Sequence, residues 1–403
     1  PLWQYPVSGA DNAAYIAGTR TLELNQSGEL RNRNHLLGDI VGSSPAYVRD
    51  TGTIYVGAND GMLHAIDATN GNEQFAFIPG IVNWNELGTL SRQDYGHRYF
   101  VDGPIVVTSQ QQTPGANILV GALGKGGKGL FSLNVTNPAT FATGNFKWER
   151  ADTPLGNMGL VQGRPIIARV QGGTHAVVLG NGVNSTNDRA VLVVMNLDTG
   201  AVIREIDTGV GSAALPNGLS APAGVLGPDG RTLSYVYAGD MLGNVWKFDL
   251  TDASPAEWSV RKLFEAGTSR PISGGVTIAT HPVTNKRWIF FGTGRYLTSG
   301  DVTNTTTQGM YGFMEDDVET LDATDLTART LSVTSAMSSG YPVRAFQART
   351  PLPATSKGWY INLPESGERI VQDAQVVSTF LVTASMIPTG DACESDGRGY
   401  INA

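Results

Sequence analysis

The chain has 403 residues, of which 41% are hydrophobic, only 16% are charged and 50 are glycine. This composition suffices for a large core and predicts many tight turns joined by apolar strands rather than long exposed helices. The net charge of −8 and a pI near 5.2 argue against a surface for nucleic acid or anionic lipid. No apolar run approaches the roughly 18 residues of a membrane span, so none is expected.

Residues 1–37 are polar and rich in turn residues, and we expect a lead-in segment that wraps a domain of residues 38–403. A short helix is predicted near Ala13–Gly18. The chain starts at Pro1 without a visible targeting signal, so we expect an excised fragment or a processed chain. The single cysteine, Cys393, is either a free thiol or paired with a residue of a missing continuation.

The stretch Ile54–Gly71 predicts two apolar strands joined by a tight turn, because Gly57–Gly61 (GANDG) offers residues that accept a positive φ. Related strand–turn–strand units recur at Ile118–Asn134, Val177–Gly200, Tyr235–Asp249 and Trp288–Glu315, and second halves alone at Gly358–Gly367 and Gly399–Asn402. No single unit can bury its own faces, so the copies should stack against one another.

The second strand of each unit ends at an acidic or amide residue. These marks are Asp67, Asn134, Asn196, Asp249, Glu315, Asn362 and Asn402. Their uneven spacing predicts an all-β fold, a β-propeller of about seven uneven blades. One large or two smaller β-sandwiches are the alternative. Val318–Thr330 predicts a short helix inserted on one blade, with Asp317 as its N-cap.

The order of the motifs carries a family resemblance. They run GDIVGSSPAYV, YVGANDGMLHAIDATNGNEQFAFIP, HRYFVDGP, VGALGKGGKGLFSLNVTNP, VVLGNGVNS, GLSAPAG, YVYAGDMLGNVWKFDL, RPISGGV and FFGTGRYL. From about Gly38 to about Asn402, this succession resembles the C-terminal β-propeller domain of the PilC/PilY family of type IV pilus tip proteins. Each glycine-rich piece is a weak signal, and the joint order is the specific one.

The resemblance implies a modified quinoprotein-like propeller without established catalysis, located at the pilus tip or the outer cell surface of a Gram-negative bacterium. Members of the family help to prime pilus assembly with minor pilins, oppose retraction, support twitching motility and mediate adhesion. The implied partners are therefore minor pilins and a host-cell or abiotic surface. The resemblance also implies that an N-terminal region and the residues after the last partial blade are missing here.

Many members of the family bind calcium in an Asp-rich loop before the YVYAGD strand. The matching stretch here, Leu226–Ser234, keeps only Asp229 as a carboxylate, and Arg231 follows two residues later. Calcium takes six to eight oxygen ligands, several of them anionic. We therefore expect a plain β-turn at Pro228-Asp229-Gly230, and no cofactor.

Two other loops resemble binding motifs. Asn184, Asn187 and Asp188, with Asn181 before them, could complete a weak cation site, although such residues more often form Asx-turns. Lys125–Gly129 resembles a phosphate cradle, but a P-loop leads into a helix and this segment leads into a predicted strand. A hairpin turn is the preferred interpretation.

Catalytic motifs are poorly supported. The five histidines lack the short spacing of a metal site, and His64 is expected to pack within a strand. His97 and Asp102 form a candidate pair with a structural role. The enzyme alternative is a quinoprotein (PQQ-dependent) oxidoreductase, whose blades dock a tryptophan after the Thr-Gly turn and some of which use vicinal cysteines. Neither feature is present, so a non-enzymatic binding and assembly module is predicted.

Overall fold

The structure is a computed structural model that describes residues 9–338, 340–348, 350–389 and 397–403. Cys393 lies outside these residues, so both alternatives for it, a free thiol or a paired one, stay predictions. The chain divides into two compact units. The first consists of Pro1–Ile167 and Asn196–Val202, and the second of Ala168–Met195 and Ile203–Ala403.

Helices are few and short in the described part of the chain. The α-helices are α1 (Gly9–Ile16), α2 (Trp84–Leu87) and α3 (Ser299–Val302). Helix α1 confirms the short helix predicted in the lead-in, although it begins and ends earlier than expected. Its buried Tyr15 packs into the core of the first unit, so the lead-in is attached there by an aromatic anchor.

The described strands form five sheets built on four-stranded antiparallel meanders, which is the architecture of propeller blades. The first three sheets contain only the four strands of the meander. They are β1–β4 (Ala46–Val48, Thr53–Gly57, Leu63–Asp67, Glu73–Phe77), β5–β8 (Ile105–Val107, Ile118–Ala122, Leu130–Asn134, Phe146–Arg150) and β9–β12 (Ile166–Arg169, His175–Gly180, Val191–Asn196, Val202–Asp207).

The fourth and fifth sheets each gain one short parallel strand at the edge. The fourth contains β13–β16 (Ala223–Leu226, Leu233–Gly239, Asn244–Asp249, Ser259–Glu265) and β20 (Leu321–Asp322). The fifth contains β17–β19 (Thr277–Thr280, Arg287–Gly292, Gly309–Met314), β24 (Gly358–Asn362) and β21 (Thr327–Arg329). The chain therefore leaves the fifth sheet after its third strand and returns to complete it with β24.

A hairpin and a smaller sheet complete the described structure. The hairpin pairs β22 (Leu331–Ser338) with β23 (Tyr341–Phe346) and is inserted between β21 and β24. The sixth sheet contains three described strands, β25 (Gln375–Val377), β26 (Phe380–Ile387) and β27 (Arg398–Asn402).

Two sequence-based expectations need correction. Asn362 does not mark a separate blade, because it ends β24, the fourth meander strand of the fifth sheet. The helix predicted over Val318–Thr330 is wrong, since this segment holds only a single 3-10 turn (Ala323–Asp325) between β20 and β21. Short acidic side chains explain the difference. The Asp316 carboxylate accepts the N–H groups of residues 318 and 319, and such local bonds compete with helix formation.

A repeated lock joins each of several sheets to the segment that leads into the next one. The second strand of the meander carries a glycine at its end, where a Cβ atom would collide with that incoming segment. At Gly180, the Cβ would lie 2.0 Å from the Ser220 carbonyl oxygen, and at Gly57 it would lie 2.3 Å from that of Val101. Gly239 and Gly292 are equally crowded, by Ile272 and Ile370.

Hydrogen bonds join the same two parts of the chain, and together with the glycine contacts they make up the lock. Just beyond these glycines, an oxygen of the turn accepts the backbone N–H of the incoming segment. The pairs are Asn59 Oδ1 with Phe100 (3.0 Å), Asn181 Oδ1 with Leu219 (3.0 Å), the Asp240 carbonyl with Ile272 (2.9 Å) and the Thr293 carbonyl with Ile370 (3.0 Å). The glycines of the repeated motif thus permit a close approach of the incoming segment, and a residue one or two positions after them supplies the acceptor.

Each unit has its own apolar core. In the first unit, fully buried Tyr55, Leu63, Phe100 and Phe131 pack together. In the second unit, Tyr237, Phe264, Phe291, Tyr311 and Phe313 form an aromatic cluster between the fourth and fifth sheets. The rings of Phe291 and Tyr311 stack with their centroids 4.8 Å apart. Aromatic pairs of this kind add stability beyond the area that they bury.

Candidate functional site

A cavity of about 350 Å³ lies in the first unit, between the lead-in and the first sheet. Its walls come from residues 31–39, from Asn59 and Asp60 of the β2–β3 turn, and from the segment that contains Tyr95 and His97. Both charged and apolar side chains line it, and its volume falls within the range of ligand sites. It is the candidate functional site of the first unit.

The β2–β3 turn fixes one wall. Asn59 is buried and holds the N–H of Phe100, as described for the lock. The Asp60 carboxylate accepts the N–H of Gly38 at 2.7 Å and that of Met62 at 3.0 Å, so it ties the lead-in to the turn. A Cβ at Gly38 would lie 2.3 Å from the Asp60 nitrogen, which explains why the lead-in carries a glycine there.

His64 lies directly behind this turn on β3. It is only 5% exposed, with Nδ1 2.7 Å from Glu73 Oε2 and Nε2 3.1 Å from Asp60 Oδ2. Burial lowers the pKa of His64, but the hydrogen bonds to Asp60 and Glu73 and their charges outweigh burial and raise the pKa above its usual value. The packed histidine expected from the sequence is therefore held between two carboxylates, whose contacts favour its charged form.

His97 does not pair with Asp102, and that prediction is wrong. The His97 Nε2 atom lies 2.8 Å from Asp39 Oδ2 at the mouth of the cavity, where both side chains are about half exposed. Asp102 instead accepts the N–H of Gly42 at 2.7 Å, and burial raises its pKa. The sequence separation of five residues was misleading because the backbone carries the two side chains to different partners.

Two arginines approach the cavity from the lead-in. Arg33 lies over the Tyr15 ring and its Nε donates to Glu23 at 2.9 Å. Arg31 lies over the Tyr95 ring with its guanidinium carbon 4.8 Å from the ring centroid, and its Nε donates to the Leu90 carbonyl at 2.8 Å. Sequence reasoning misses both arginines, because it treats residues 1–37 only as a polar, turn-rich lead-in. The charged residues before the first sheet were the available signal.

The stretch that matches the family's calcium loop joins β13 to β14. The Gly230 N–H donates to the Gly227 carbonyl, which closes a β-turn around Pro228 and Asp229. The Asp229 carboxylate accepts from the Thr232 hydroxyl (2.6 Å), from the Thr232 N–H (2.9 Å) and from the Arg231 N–H (3.0 Å), and these bonds lower its pKa to about 2. With one carboxylate, whose two oxygens already hold the turn, these residues do not fit calcium.

The asparagine-rich loop between β10 and β11 is also a set of turns. Asn184 and Asp188 adopt positive φ angles of 62° and 52°, and the Asp188 N–H donates to the Ser185 carbonyl at 3.2 Å. Asn187 lies in the same loop. Among the described residues, no three His, Cys, Asp or Glu side chains are grouped so that they could hold a metal ion.

The Lys125–Gly129 loop leads into a strand, β7, as predicted. The Lys125 amine lies over the Tyr99 ring, 5.2 Å from its centroid. A Cβ at Gly126 would lie 1.8 Å from the Phe100 carbonyl oxygen, so this glycine permits the turn to pack against the segment leading into its own sheet. The loop has the setting of a structural turn.

Repeated four-stranded meanders joined by a recurring lock define a β-propeller domain. The family model described as the PilY1 beta-propeller domain matches residues 37–332, and the chain belongs to this family. The family consists of type IV pilus biogenesis factors, which are assembly proteins and not enzymes. Membership of this family agrees with the non-enzymatic module that the sequence predicts and not with the quinoprotein alternative.

Named relatives agree with this assignment. A type IV pilus biogenesis factor PilY1 homolog from Xylella fastidiosa (strain Temecula1) is 36% identical over 98% of this chain and 34% of its own length. Type IV pilus biogenesis factor PilY1 from Pseudomonas aeruginosa (strain PAK) is 30% identical over 96% of this chain and 39% of its own. The chain thus spans between a third and two fifths of these relatives.

A solved structure is similar as well. The crystal structure of the Pseudomonas aeruginosa PilY1 C-terminal domain matches with a TM-score of 0.70 and 30% sequence identity, over 83% of this chain and 76% of that one. Among the described residues, no helix combines the length and the apolar character needed to cross a membrane.

Proposed function

We propose that this propeller works at the tip of the type IV pilus or on the outer surface of a Gram-negative bacterium. There it joins minor pilins in assembly, opposes pilus retraction and thereby supports twitching motility and adhesion to host cells or other surfaces. Membership of a family of pilus biogenesis factors is the observation that carries this proposal.

The locks between sheets support a role under mechanical load. An oxygen of one sheet's turn holds the backbone of the segment that leads into the next sheet, and a glycine lets the two chains approach closely. A pulling force on one segment is therefore shared with its neighbour before any strand leaves its sheet. Loops outside the locks are free to vary and to contact partners.

The proposal is tested by deleting the propeller from the full-length gene of the source bacterium. We expect fewer sheared surface pili, a smaller twitching zone and weaker attachment to surfaces. The same deletion in a strain without the retraction motor separates two roles, because pili return there if the domain opposes retraction and stay absent if it primes assembly. Unchanged pili, twitching and attachment after the deletion would overturn the proposal.

We further propose that the Gly227–Thr232 turn holds its shape without calcium. The three donors to Asp229 leave its carboxylate engaged in the turn, which supports this assignment. The melting temperature of the purified chain should be the same in millimolar calcium and in excess chelator. A calcium-dependent rise in melting temperature that Asp229→Ala abolishes would contradict the proposal.

A further inference from the structure

We propose that the cavity of the first unit binds a carboxylated sugar residue of a surface glycan, with the Arg31 guanidinium as the anchor of the carboxylate. The inference deepens the adhesive part of the proposed function and rests on it. It follows from which charges at the cavity are already paired, from how Arg31 is held, and from the character of the walls.

Arg31 is the cavity cation without a carboxylate partner among the described residues. Its Nε donates to the Leu90 carbonyl at 2.8 Å, and its face lies on the Tyr95 ring. No carboxylate of the described residues forms an ion pair with its guanidinium, whose side-chain neighbours are the Tyr95 ring and the Tyr15 hydroxyl. The two terminal nitrogens of an arginine form the planar fork that binds a carboxylate through two parallel hydrogen bonds.

The other charges that line the cavity are engaged within the protein. Arg33 pairs with buried Glu23 at 2.9 Å. Asp60 pairs with His64, and Asp39 accepts from His97 at 2.8 Å. Arg31 is therefore the lining arginine that has no ion pair among the described residues, and a carboxylate ligand would supply one.

Arg31 is also held in place before any ligand arrives. Its backbone N–H donates to the Ser91 carbonyl at 2.9 Å, and its carbonyl accepts from the Tyr15 hydroxyl at 3.0 Å. Together with the Leu90 bond and the Tyr95 ring, these contacts fix both ends of the residue. A preorganised donor loses little entropy on binding, which favours a small ligand.

The remaining walls favour a sugar over a simple carboxylate. At the mouth, Asp39 and His97 are about half exposed and offer partners for hydroxyl groups. Leu36 and Leu37 are 50% and 43% exposed on the same lining, and they can cover the apolar face of a pyranose ring. The cavity volume of about 350 Å³ accommodates one sugar ring with its substituents.

Binding is measured by saturation-transfer NMR and calorimetry on the purified chain. The probes are the methyl glycosides of glucuronic acid and N-acetylneuraminic acid, the neutral methyl glucoside, acetate, and a short peptide with a free C-terminal carboxylate. We expect both acidic sugars to bind more tightly than the neutral sugar and acetate. Their affinity should fall with added salt, because a charged pair forms.

Substitutions at the cavity test whether the acidic sugars bind there. Arg31→Gln should weaken the acidic sugars by about 10- to 100-fold, since a hydrogen-bonded charge partner is lost. Arg31→Lys should keep part of the affinity, because it keeps the charge but not the fork. His97→Ala changes a half-exposed side chain without disturbing the core, so it tests the mouth if Arg31→Gln fails to fold. Arg92→Gln is the matched control, because Arg92 is an exposed arginine that pairs with exposed Asp94.

Three results would overturn the inference. These are equal binding of acetate or of the neutral sugar, tighter binding of the peptide than of either acidic sugar, and an equal loss of affinity in Arg92→Gln. They differ from the failure of the proposed function, which is read from pili and twitching of the deletion strain. A chain can support pilus assembly and still not bind acidic sugars, and the two assays distinguish these cases.

Discussion

Replacing Asp240 is expected to destabilise the second unit strongly. Asp240 is fully buried, and its carboxylate accepts from three side-chain donors, the amides of Asn217 and Asn244 and the Trp246 indole N–H, at distances of 2.8–3.1 Å. It also accepts the backbone N–H groups of Leu242 and Asn244, both at 2.9 Å. Asp240→Ala leaves all of these donors without their acceptor.

The expected magnitude follows from the buried donors. Each one left unsatisfied costs about 1–3 kcal/mol, and water entering the space of the lost carboxylate relieves part of that cost. We therefore expect a total loss of roughly 3–5 kcal/mol. For a unit of this size, such a loss lowers the melting temperature by roughly 10 °C.

Differential scanning calorimetry of the purified chain measures this loss. Asp229→Ala is the matched control, because Asp229 also holds a turn of the fourth sheet but is exposed, and it should melt within about 3 °C of the wild type. Asp240→Asn keeps the shape but brings an amide donor among donors, so it should also be destabilised. Melting of Asp240→Ala or Asp240→Asn close to Asp229→Ala would refute the reasoning.

Three further predictions follow from single contacts. The pKa of His64 is raised, so its ion pairs stabilise the fold below a pH of about 6.5, and this stabilisation is lost as the pH rises through the folded-state pKa. In thermal melts from pH 5 to 9, His64→Gln should reduce the pH dependence of the melting temperature. An unchanged dependence would contradict the prediction. In urea titrations, Gly180→Ala should cost about 1–3 kcal/mol by overpacking, whereas Gly300→Ala should be nearly neutral, because its Cβ would meet only the Thr298 Oγ1 at an ordinary contact distance of 3.8 Å. Arg344→Met leaves the buried Glu368 carboxylate without its ion pair, so proteolysis should cut residues 331–346 faster, and equal rates would exclude a role for that arginine.

The sequence predicted the parts of the fold that depend on local patterns. Strand–turn–strand units, the turn at Pro228-Asp229-Gly230 and the strand after Lys125–Gly129 follow from residues that lie next to one another. A run of β-formers followed by turn residues with positive φ has few alternatives. Local chemistry also explains the wrong helix over Val318–Thr330, because a possible N-cap at Asp317 does not reveal the hydrogen bonds that Asp316 and Asp322 make to nearby backbone.

The candidate site could not be predicted in the same way. Arg31 contacts Leu90 and Tyr95, and His97 contacts Asp39, so each contact joins residues about 60 positions apart. Such contacts depend on how the lead-in packs against the first sheet, and no sequence period encodes that packing. The pairing of His97 was misjudged for this reason, because nearness in sequence was taken for nearness in space.

The cavity lies beside the lock of the first sheet, where the residue next to the hydrogen-bond acceptor also contacts the lead-in. In the first sheet, Asn59 performs the task that Asn181 performs in the third, since both hold the segment that leads into the next sheet. The residue after Asn59 is Asp60, whose carboxylate binds the lead-in at Gly38 and the buried His64. The turn that stabilises the fold thus also builds one wall of the cavity, so a variant of Asp60 should alter ligand binding while the Asn59 lock persists.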